Sequence, residues 1–103
     1  MSFSLTGMQS SERFHFTNAT WREVLRLGLA CGWQPIGTVL NGRSDWKGGY
    51  GSNDYQTVTE PDALALADAI QQAVQSPLLE PNWADYLRQF IGFARQSGGF
   101  MLS

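Results

Sequence analysis

The segment RFHFTNATWREVLRLGLACGWQP, residues 13–35, changes its hydrophobic period part-way along. Phe14 and Phe16 alternate with Arg13, His15 and Thr17, the two-residue repeat of a half-buried strand. Beyond them Trp21, Val24, Leu25, Gly28 and Leu29 recur at helical spacing and form one stripe on a cylinder. Asn18 or Thr20 is placed to cap this helix, and Thr20 with Glu23 fits a capping box. Gly32 suits the left-handed residue that closes a helix, and Pro35 blocks its continuation. A strand feeding directly into an amphipathic helix puts both element types around one core.

Working outward, TVTEPDALALADAIQQAV (57–74) predicts a second helix. Thr59 and Asp62 form a T-x-x-D capping box, and Pro61 sits where its missing N–H costs nothing. Glu60 and Asp62 also place negative charge at the positive end of the helix dipole. Ala63, Leu66, Ala67, Ile70 and Val74 line its apolar face. Pro77 and Pro81 break the chain before a third helix at roughly 82–96, with Trp83, Leu87, Phe90, Ile91 and Ala94 on one side. Gly98 and Gly99 end that helix, and Phe100 and Leu102 flanking Met101 signal a closing strand. Residues 36–40 read as a short strand, and 41–56 as a surface loop with no periodicity. Ser2–Leu5 offers another short strand, within a 1–12 segment expected to be mobile. Pairing RFHF with GFML satisfies both exposed edges most simply. The predicted architecture is a single α+β domain spanning 1–103, with three helices on one face of a small antiparallel sheet.

Composition narrows the functions. A chain of 103 residues that is 43% apolar supports one compact core. Charge is sparse at 16% with a net of −2, and no basic run exists to neutralise phosphates, so nucleic acid is not an expected partner. Cys31 is the only cysteine, which excludes an intramolecular disulfide and a cysteine-based zinc site. The opening MSFSLTGMQSSERF lacks the charged and apolar regions of a secretory leader. The longest mainly apolar stretch, LRLGLACGW, falls far short of the ~20 residues needed to cross a bilayer. The expectation is a soluble cytoplasmic protein with no membrane partner.

The glycine-rich stretch NGRSDWKGGYGSND (41–54) invites three chemical readings. As a phosphate loop it fails, because Lys47 precedes Gly48 and Gly49 instead of following the last glycine. As a dinucleotide fingerprint it carries Asp54 where the third glycine belongs, and a carboxylate there repels pyrophosphate. As a calcium cage, GSNDYQTVTEPD (51–62) leaves only Asn53 and Asp62 as side-chain ligands, too few for a cation seeking six or more oxygens. Local turns at Asn53 and Asp54, with Asp62 completing the helix cap, account for the same residues. No cofactor or metal is therefore expected. The nucleophile elbow G-x-S-x-G is broken at Trp46. His15, the only histidine, would need Asp45 or Asp54 beside it to act as an acid/base pair. Cys31, at the wrong end of its helix for an activated thiol, reads as a small core residue.

One feature stands apart. Trp33, Trp46, Tyr50 and Tyr55 crowd into a loop otherwise built of glycines and polar groups. They are the candidate binding residues, as a stacking wall for a sugar or an anchor for a protein. The competing reading is that these rings pin a long loop to the domain.

The pieces WREVLRLGLACGWQPIGT, YGSNDYQTVTEPDALALADAI and FIGFARQSGGFML, in that order, resemble a group of small uncharacterised bacterial proteins. Trp21, Gly32, Trp33, Pro35, Gly37, Thr38, Val58, Thr59, Asp62, Ala63, Leu66, Ala67, Gly99 and Phe100 carry the resemblance. It implies no established activity and transfers no catalytic residue. The sequence thus points to a small non-enzymatic interaction module that binds a protein partner or itself. The alternative is a binder of a small anion or sugar through the 33–58 loop. An acid/base enzyme stands third.

Overall fold

The computed structural model describes residues 2–37, 39–40, 43–44, 50–51 and 56–103. The chain runs β1 (Ser2–Gly7), β2 (Arg13–Thr17), α1 (Asn18–Ala30), β3 (Val39–Leu40), β4 (Arg43–Ser44), β5 (Thr57–Val58), α2 (Glu60–Ala73), α3 (Pro81–Ser97) and β6 (Phe100–Leu102). The fold is α+β. Four strands form an antiparallel sheet in the order β2-β1-β6-β5, and β3 pairs with β4 separately.

The anticipated pairing of RFHF with GFML does not occur, because β1 lies between them. Residues 2–5, expected as a short strand, belong to an inner strand that runs on to Gly7. The reason is local. Phe3 and Leu5 share the alternation of Phe14 and Phe16, and the register sets Phe3 against Phe16 and Leu5 against Phe14. A neighbouring strand joined by a short turn closes a smaller loop than β6 could. Hydrogen bonds then hold the turn: Gly7 N–H to the Glu12 carbonyl, Met8 N–H to Gly99 and Gln9 N–H to Ser97, each at 2.8 Å. The other face of β1 carries Ser2, Ser4 and Thr6, all half-buried.

Helix α1 is capped by Thr17, one residue before Asn18 and three before Thr20, the two expected caps. Thr17 ends β2 in an extended conformation, so its side chain is free to turn onto the helix. Its Oγ1 accepts from the Thr20 N–H at 3.2 Å and donates to Thr20 Oγ1 at 2.8 Å. Glu23, expected to complete a box with Thr20, pairs with Arg26 through Nε at 2.9 Å. Trp21, Val24 and Gly28 are buried as the stripe requires, but Leu29 is exposed. At the other end the Trp33 N–H reaches the Gly28 carbonyl at 2.9 Å and the Gly32 N–H reaches Leu29 at 3.3 Å. These two bonds are the paired closure of a Schellman motif.

Helix α2 begins at the expected Thr59 cap, and Ala63, Leu66, Ala67, Ile70 and Val74 are all buried. Helix α3 is capped by Glu80, whose carboxylate accepts from the Asn82 and Trp83 N–H groups at 3.1 and 3.0 Å. Helices α1 and α3 lie against β1 and β2, and α2 packs on both helices. Trp21 is central to the core. Phe3, Phe16, Phe90 and Phe100 surround it at 5.8–6.2 Å between ring centroids. At Gly99, with φ +94°, an added Cβ would sit 2.9 Å from the Val58 carbonyl oxygen. The entry to β6 therefore presses on the β5–α2 junction backbone to backbone. Among the described residues no helix is long and apolar enough to cross a membrane.

Candidate functional site

The first turn of α2 holds a buried acid. Asp62 is 2% exposed, three residues past the Thr59 cap. Its own N–H reaches Thr59 Oγ1 at 3.4 Å, which is half of the expected capping box. The carboxylate is turned away, toward the loop that follows α1. Both of its oxygens accept from the Ile36 N–H at 3.0 Å, and Oδ2 also accepts from the Gly37 N–H at 2.9 Å. The Tyr50 hydroxyl donates to the same oxygen at 2.6 Å. Successive backbone N–H groups aimed at one point form an anion nest, and Gly37 supplies the left-handed residue it needs with φ +93°. The expected strand at 36–40 is thus realised only at Val39–Leu40, where the chain pairs with Arg43–Ser44.

The aromatic residues complete the cluster. Trp33 donates through Nε1 to the Asp62 carbonyl at 3.1 Å, and its ring stacks on Tyr50 at 6.1 Å with 24° between planes. The Tyr50 carbonyl accepts from Trp21 Nε1 at 2.7 Å. Two indoles and a phenol therefore connect α1, the loop and α2 through polar tips that each find a partner, as buried Trp and Tyr require. Burial pushes the Tyr50 hydroxyl well above the ordinary tyrosine range, and the bond to the nearby Asp62 carboxylate pushes the same way.

Of the four candidate binding residues, the structure brings Trp33 and Tyr50 together and buries both. Trp46 and Tyr55 lie outside the described residues, as do Asp45, Asn53 and Asp54. His15 is exposed on the outer side of β2, with Ser4 Oγ 3.4 Å from its Nδ1. Cys31 is half-buried against the core at the end of α1. Among the described residues no group of three or more His, Cys, Asp or Glu could hold a metal ion.

Chemically the Asp62 carboxylate is a hub for donors. Among the described residues two N–H groups and one O–H converge on it, charge-assisted and shielded from water. Sequence reasoning assigned it to the helix cap and missed the loop. The available signal was Trp33-Gln34-Pro35-Ile36-Gly37, where Pro and Gly bracket the two amides that need an acceptor. Also missed was Gln56, which is 4% exposed. Neither its amide nitrogen nor its amide oxygen has a hydrogen-bond partner among the described residues. Compared with protein families, curated proteins and solved structures, the chain matches none of them.

Proposed function

We propose that this chain is a small non-enzymatic interaction module of the cytoplasm, of the bacterial kind its motifs resemble. It engages a protein partner, a second copy of itself included, through the 33–58 loop. The observation that carries this reading is Ile36. Its side chain is 64% exposed while its backbone N–H is fixed on the Asp62 carboxylate at 3.0 Å. A large apolar group presented from a rigid backbone lowers the ordering cost of association, the usual virtue of a preorganised contact. Trp46 and Tyr55 are proposed to take part as the other aromatic residues of the same stretch of sequence. The test compares wild type with Ile36→Ser, Trp46→Ala and Tyr55→Ala by light scattering at rising concentration and by affinity capture. The reading expects an unchanged melting temperature with association weakened about tenfold or more by at least one substitution. Equal association in all four proteins removes it.

A second reading, a small-ligand protein, draws on Gln56. A buried amide without partners is destabilising by about 1–3 kcal/mol, so its presence wants a reason. A neutral ligand offering adjacent hydroxyls, as a sugar does, supplies both a donor and an acceptor to such an amide. Thermal shift against a sugar panel distinguishes the cases. Stabilisation of wild type that is lost in Gln56→Met supports the ligand. A more stable Gln56→Met protein, with no shift in either chain, removes this reading.

A further inference from the structure

We draw no further inference here: the strongest candidate, the outer edge of β2 flanked by half-buried Phe14, Trp83 and Tyr86, shows nothing that would cover it, and the Tyr86 hydroxyl already occupies the carbonyl of His15.

Discussion

Replacing Asp62 should destabilise the domain more than removal of an ordinary helix cap. In Asp62→Ala the amides of Ile36 and Gly37 and the hydroxyl of Tyr50 all lose their acceptor. A buried donor left unsatisfied costs about 1–3 kcal/mol, so three give roughly 3–9 before relaxation. Water entering the space left by the side chain recovers part of this, and a net loss of about 3–5 kcal/mol is expected. A lost cap alone costs about 1 kcal/mol. A domain of this size has only about 5–15 kcal/mol in total, so Asp62→Ala should be marginally folded at best. Asp62→Asn preserves shape but sets an NH2 against a donor, and about 2–4 kcal/mol should be lost. Tyr50→Phe deletes one charge-assisted bond, worth about 1.5–3 kcal/mol. Guanidinium unfolding followed by tryptophan fluorescence suits the measurement, since Trp21 and Trp33 both hydrogen-bond within the cluster. The double variant Asp62→Asn/Tyr50→Phe should be less damaged than the sum of its parts, with about 1 kcal/mol or more of coupling. A loss below about 1 kcal/mol in Asp62→Asn, with additive effects, would refute the hub, because that is what a solvated cap predicts.

Two further outcomes follow from the same packing. Tyr50 has a folded pKa raised above its unfolded value, so its contribution is complete below about pH 10, where the unfolded chain still keeps the phenol neutral, and is lost as pH climbs beyond that. Burial raises Tyr86 in the same direction, so Tyr50→Phe should reduce the alkaline slope of stability by up to about 1.4 kcal/mol per pH unit without abolishing it. An unchanged slope in an alkaline titration of unfolding free energy would show that Tyr50 ionises freely. Gly99→Ala adds a Cβ 2.9 Å from the Val58 carbonyl oxygen and 3.0 Å from the Glu60 nitrogen, at φ +94°. Strain and clash together should cost about 2–4 kcal/mol in equilibrium unfolding, and a loss under 1 would mean that the β5–α2 junction yields easily.

The elements were legible where local chemistry decides them. Thr59, Pro61 and the Ala63–Val74 stripe specify α2 without help from the rest of the chain, and Gly98 and Gly99 end α3 as expected. Strand order was not legible, since β1, β2 and β6 all alternate with apolar residues on one face and each could pair with either of the others. The α1 cap was misplaced by one residue at Asn18 or three at Thr20, because Thr17, Asn18 and Thr20 are all competent and only the end of β2 decides among them. In the candidate site the burial of Trp33 and Tyr50 fits the reading that such rings pin the loop to the domain, but their polar partners were not legible. Periodicity identifies faces within an element, and a loop has none. The destination of the Asp62 carboxylate depends on residues 25 and 26 positions away in sequence, which no local rule reaches.

Those long-range bonds also bear on why an acid stands at position 62. A buried carboxylate is a poor choice if stability alone matters, because a well-packed apolar residue often does as well or better. No apolar residue, however, can accept from the Ile36 and Gly37 amides, and each would then need some other partner. The carboxylate therefore favours one arrangement of the Trp33–Gly37 backbone over the alternatives. An acid used this way is unsuited to proton transfer, since a base must leave a lone pair facing its substrate. It suits a surface whose shape must be the same before and after a partner arrives. The Asp62 hub thus supports presentation of Ile36 as the work of this loop. At the start of α2, the anion facing the Ile36–Gly37 nest is the protein's own.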